Sequence, residues 1–93
     1  MSKIYTTTDK VKKFTGNMAW YYLSVKETYA DYGVPKPKWG LIPIRATCGD
    51  TTWTTSLLPF GDGTLFIALK AAVRKSEDIA EGKRITVSYR LGK

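Results

Sequence analysis

Histidine is absent from this sequence, and cysteine occurs once, at position 48. Without histidine the chain lacks the commonest general base, proton shuttle and nitrogen ligand for metals. Ser-His-Asp and Cys-His nucleophilic arrangements are therefore excluded. One thiol supplies neither an internal disulfide nor the ligand set of a zinc site, so no metal, no cofactor and no disulfide-linked partner is expected. Long apolar runs are missing as well. The longest, Met18 to Leu23, is far too short to cross a bilayer. Nothing between Met1 and Lys10 has the apolar stretch of a signal peptide. These absences lead to the expectation of a cytoplasmic protein that makes no use of a membrane.

Acidic side chains are the other scarce class. Eight Asp and Glu face fifteen Lys and Arg, for a formal net charge of +7 in 93 residues. The excess leans towards residues 1–49, which hold eight basic and three acidic side chains against seven and five in the remainder. No basic tail or polybasic run is present. Such a field favours phosphates or an acidic partner, and it is equally an ordinary solubility device. Apolar residues at 43% and aromatics at 13% give a globular balance. A chain of this size buries about 64% of its extended surface, enough for one core, so residues 1–93 are read as a single domain.

The pattern along the chain is short strands. Ile4 to Val11 is rich in Thr, whose branched Cβ suits a pleated, half-exposed surface. Thr15-Gly16-Asn17 breaks it, and Ala19 to Val25 follows as a strand apolar on both faces. Lys26 to Tyr32 is compatible with a single helical turn, and the two prolines in Gly33 to Lys38 mark a loop. Ile42, Ile44, Ala46 and Cys48 then alternate with Pro43, Arg45 and Thr47, with Pro43 suggesting an edge or bulge position. Gly49-Asp50 turns the chain into a strand from Thr51 to Leu58, and Gly61-Asp62-Gly63 is a hairpin signal. Thr64 to Leu69 returns as a strand and leads into a short helix. Ile85, Val87, Tyr89 and Leu91 alternate with Arg84, Thr86, Ser88 and Arg90 in the last strand. The fold class is all-β: a small closed or nearly closed six-stranded barrel, with one short α-helix before the last strand. Its expected core includes Ile42, Ile44, Leu57, Leu65, Ile67, Leu69, Val73, Ile85 and Val87. Trp20, Tyr22, Trp53 and Phe66 are read as core too, since a domain this small needs large side chains inside.

Candidate chemistry is confined to a few positions. Gly61-Asp62-Gly63 is no phosphate loop, because it joins two strands and no GK[ST] follows. Asp50 and Asp62 sit beside glycine, where Asp favours local hydrogen bonding over acid–base work. Cys48 shares a face with Ile42 and Ile44 and is read as a small buried hydrophobe. Lys70 and Arg74 lie one helical turn apart, with Lys75 adjacent and Arg45 a further cation. They form either a solvated face, with Arg74 paired to Glu77 or Asp78, or an anion site. Trp39, between Lys38 and Arg45, is either a stacking platform on a cationic groove or a lid over a barrel end.

The stretch Ser56 to Leu65, continuing through Ile67 to Lys75 and on to Glu81-Gly82 and Ile85-Thr86-Val87, resembles a known bacterial family. That family is domain of unknown function nineteen-oh-five. Its marks are a serine-leucine-x-proline-x-glycine-aspartate-glycine hairpin, a lysine-to-arginine helical segment and a glycine turn before the last strand. The resemblance covers roughly residues 40 to 91. It departs at Lys83, where aspartate is common, and in Lys26 to Tyr32, which lacks the usual leucine-proline. It implies a small six-stranded barrel, often joined to a bacteriocin-protection-type domain, and favours Lys70 and Arg74 as a site. No activity comes with it. The function expected is a non-enzymatic binding or scaffolding module of unknown ligand. The alternative is a nucleic-acid binder using a basic barrel face.

Overall fold

In the computed structural model, residues 3–14, 20–33 and 40–92 are described. Seven strands form one antiparallel sheet: β1 (Tyr5–Lys10), β2 (Lys12–Lys13), β3 (Tyr21–Val25), β4 (Ile42–Cys48), β5 (Thr51–Pro59), β6 (Leu65–Leu69) and β7 (Arg84–Leu91). Two short helices interrupt them, α1 (Tyr29–Tyr32) after β3 and α2 (Ala71–Ser76) after β6. The strand order is β1-β7-β4-β5-β6-β3-β2. Since β1 and β2 are consecutive pieces of one N-terminal segment, the sheet begins and ends on the same stretch of chain. That is the topology of a nearly closed barrel.

The count of seven against the expected six has a local cause. The N-terminal segment changes partners at Val11, pairing with β7 through Tyr5 to Lys10 and with β3 through Lys12 and Lys13. Val11 itself is buried and is held by N–H to Lys83 C=O at 2.8 Å, while Gly82 N–H donates to its carbonyl at 2.8 Å. On the open side of the seam, the Thr7 hydroxyl reaches across to the Ser24 carbonyl at 2.9 Å.

Alternation fills the interior. Ile42, Ile44, Leu57, Leu65, Ile67, Leu69, Val73, Ile85 and Val87 are all buried in one cluster, as their spacing predicted. Tyr89 and Ala46 join them, with Cys48, whose thiol is pushed up by burial and by the Glu77 carboxylate.

Each end of the barrel carries a helix. At the β4 start, α1 brings Tyr32 inwards, where its hydroxyl bonds that of Tyr89 at 2.6 Å. The α1 start is fixed by Asp31, whose carboxylate accepts from Thr28 N–H at 2.8 Å, and its end by Gly33 in the left-handed region. At the other end α2 inserts Val73, and Ile79 follows it into the core. Glu77 accepts the Thr51 hydroxyl beside the β4–β5 turn. Gly49 takes φ +57°, the left-handed region that favours glycine, beside the Glu77 carboxylate.

Three expectations change. Pro43 is in a central strand, neither at an edge nor at a bulge: its carbonyl accepts from Gly92 N–H at 2.8 Å, so its missing donor faces the end of the β7 ladder. Trp20 is 41% exposed rather than core. The inward positions of the next strand are Tyr21, Leu23 and Val25, set by pairing with Leu69, Ile67 and Leu65, and Trp20 falls on the opposite parity. Phe66 is buried, but on the outer face, beneath Phe14, Tyr22 and Phe60, with Phe60 and Phe66 centroids 4.5 Å apart. Among the described residues no helix is long and apolar enough to cross a membrane.

Leu57 and Ile67 face each other across β5 and β6 and are fully buried. Leu57→Ala or Ile67→Ala is expected to cost about 2–5 kcal/mol in chemical denaturation. Losses below about 1 kcal/mol at both positions would show that the inward face has been misassigned.

Candidate functional site

The β5–β6 ladder is short. It runs only from Leu57↔Ile67 to Pro59↔Leu65, so Thr51 to Ser56 have no β6 partner. The two strands splay towards the α2 end, and the chain leaving β6 turns across the opening as Lys70 and α2. The Lys70 ammonium donates to the open Thr54 carbonyl at 3.2 Å. Arg74 donates from Nε to the Leu69 carbonyl at 3.1 Å, and its guanidinium carbon sits 4.0 Å from the Tyr21 ring centroid. Such a cation–π contact contributes about 0.5–1 kcal/mol at exposed sites and holds the guanidinium plane in place.

These residues line a groove of about 410 Å³ with Trp20, Thr55, Leu58 and Ala68. Its walls offer two cations, one exposed indole and an aliphatic floor. No carboxylate among the described residues lies within ion-pairing distance of Lys70 or Arg74, since the one ion pair found there joins Lys12 to Asp9. The expected partners of Arg74 are engaged differently. The Glu77 carboxylate accepts from the Thr51 hydroxyl, whereas at Asp78 it is the backbone carbonyl, not the carboxylate, that takes the Lys83 ammonium at 2.9 Å. Among the described residues Arg74 is thus paired with neither Glu77 nor Asp78.

The other sequence candidates divide. Arg45 projects from the outer face of β4 and lines a neighbouring depression with Lys70, Thr52, Trp53 and Thr54. Trp53 is half-buried there, and its Nε1 has no acceptor among the described residues. Lys75 is exposed on α2 and does not line the groove. Gly61-Asp62-Gly63 lies at the opposite end of β6 from Lys70, so hairpin and helix do not form one site. Gly61 and Gly63 take φ of +99° and +97°, and Asp62 accepts from the Thr64 hydroxyl and from the Thr64 N–H at 2.9 Å, which together hold its carboxyl below the usual range. Trp39, with Lys36 and Lys38, lies outside the described residues. Trp20 was missed as a site residue because a strand apolar on both faces does not reveal which face looks out, and Tyr21 because its contact with Arg74 joins distant segments of the chain.

A family comparison bears on the same elements, with a match from residue 8 to residue 88. The chain belongs to the family described as Domain of unknown function (DUF1905). A comparison with curated proteins finds no match. The DUF1905 match takes in the hairpin, Lys70, Arg74 and Arg45, and stops short of Arg90.

A second polar cluster lies at the α1 end. Tyr5, Tyr32 and Tyr89 pack their rings together, with Tyr5 and Tyr89 stacked at 5.5 Å, and the Tyr89 hydroxyl also faces Glu27 at 3.4 Å. Burial pushes the Tyr89 hydroxyl up to about 12, with the Glu27 carboxylate adding to it. Burial raises Tyr32 further, helped by its bond to Tyr89. A phenol that resists ionisation is a poor base, so this cluster reads as a plug. In the unfolded chain both phenols ionise near pH 10, whereas the folded state keeps their protons. Their contribution is full below about pH 10 and is lost as pH rises towards about 12. Denaturation midpoints should fall between about pH 9 and about pH 11, with two phenols ionising late by phenolate absorbance. An unchanged midpoint over that span would refute the buried-phenol assignment.

Proposed function

We propose that this DUF1905 protein is a small non-catalytic binding module whose β5–β6 groove takes a ligand carrying an anionic group and a flat apolar part. The observation that carries this is the groove's composition. Lys70 and Arg74 stand without a carboxylate partner among the described residues, beside Trp20, which is 41% exposed. A guanidinium already braced on Tyr21 loses little freedom when an anion docks, and Leu58 and Ala68 supply apolar floor for the flat part. Binding rather than catalysis fits a lining whose only charged groups among the described residues are these two cations, in a chain without histidine.

The probe is anilinonaphthalene sulfonate, an aromatic body with a fixed negative charge, titrated by fluorescence with phosphate as competitor. Trp20→Ala should weaken it at least about tenfold, or about 1.4 kcal/mol. Lys70→Gln with Arg74→Gln should do the same and make the residual binding insensitive to phosphate. Trp20→Ala should leave the denaturation midpoint almost unchanged, since exposed substitutions usually fall within about 0.5 kcal/mol. Equal affinity in all variants would reject the groove as the site.

A further inference from the structure

The groove does not end at Lys70. Lys70 also lines the depression that holds Arg45 and Thr54. Arg45 and Thr52 in turn line a third depression, with Thr47, Ser88 and Arg90. Three adjacent hollows therefore share residues, and among the described residues every charged side chain lining them is positive: Arg74, Lys70, Arg45 and Arg90. The hollows at the β1–β3 seam differ, since Asp9, Glu27 and Asp31 line them together with lysines.

Register explains how the cations line up. Arg45 on β4 is the direct partner of Arg90 on β7 and of Thr54 on β5, whose carbonyl holds Lys70 at 3.2 Å. At roughly 4.8 Å per strand, the row from Arg90 to the groove spans about 15 Å. Two guanidinium groups placed directly across an antiparallel pair repel each other, and no carboxylate among the described residues stands between them. The fold tolerates that repulsion on an exposed face, and a polyanion would relieve it. Hydroxyls of Thr47, Thr52 and Ser88 form the adjacent row, two residues along the same strands, where they can donate to phosphate oxygens. Trp20 at the groove end offers a flat ring for stacking.

From this continuity we infer that the ligand is a single-stranded nucleic acid, with a base on Trp20 and its backbone running past Arg74, Lys70, Arg45 and Arg90. The inference rests on the groove reading and extends it across β5, β4 and β7. Evenly spaced charge joined to a planar base matches a row of cations ending in an indole. An acidic peptide matches the charge and leaves the indole unexplained, and a duplex has its bases stacked out of reach of Trp20.

The test is fluorescence anisotropy with labelled oligo-dT and oligo-U of about twelve nucleotides, between about 50 and 200 mM salt. With four phosphate contacts the logarithmic slope is about −2.8, so affinity falls about fifty-fold over that range. Arg45→Gln with Arg90→Gln removes two contacts, halving the slope to about −1.4 and the fall to about sevenfold. The same double variant should bind anilinonaphthalene sulfonate like the parent and melt no lower, because a repulsion has been removed. Oligonucleotide binding unchanged by that variant would overturn the path while leaving the groove intact. So would retained sulfonate binding with no oligonucleotide binding. Tighter binding of polyglutamate or of duplex DNA would overturn the single-strand assignment. Loss of no ligand in any Trp20, Lys70 or Arg74 variant would instead overturn the groove reading beneath it.

Discussion

Backbone hydrogen bonds from one N-terminal segment to two different strands bring the two ends of the sheet together. The switch is at Val11, whose N–H and C=O bond the Gly82-Lys83 turn while Lys10 stays with β7 and Lys12 begins pairing with β3. A free edge strand is a template for pairing with other chains, and the near-closure sets the two edges, β1 and β3, against each other with the Thr7 hydroxyl bridging to the Ser24 carbonyl. Closure also makes an inside, and the inward parity of every strand follows from it. Two ends remain to be stopped, which α1 does with Tyr32 and α2 with Val73.

Closure around so few residues is not uniform, and the splay between β5 and β6 is its consequence. Where the ladder fails above Leu57, Lys70 and Arg74 take over by donating to the Thr54 and Leu69 carbonyls. The same side chains that satisfy open backbone acceptors thus place positive charge at the mouth. In these two residues the structural role coincides with the binding role proposed for them, and the backbone acceptors hold the cations in place. The α1 end shows the opposite chemistry. There, buried phenols keep their protons and seal the barrel.

Much of the strand content was legible from alternation. The last strand, with Ile85, Val87 and Tyr89 inward, and β4, with Ile42, Ile44 and Ala46 inward, read directly because one face is polar. The Gly61–Gly63 hairpin was equally plain, since its positive φ values suit glycine. The α1 helix carried its signals in Thr28, Asp31 and Gly33, yet a four-residue helix leaves no periodicity to read. Of the candidate site, Lys70 and Arg74 were visible as exposed cations one turn apart. Trp20 was not, because the strand after it is apolar on both faces.

Local pattern by itself determined the all-β class, the buried face of most strands, the turns and the absence of histidine chemistry, because each depends on residues adjacent in the chain. Tertiary structure alone decided that Trp20 faces out, that Phe66 packs on the outer surface, and that Arg45 stands opposite Arg90. Each of these is a matter of register between distant segments: Tyr21 against Leu69, Phe66 against Ser24, Arg45 against Arg90. A slip of one residue in any of them would turn the side chains to the other face, and no neighbouring residue records which register is taken.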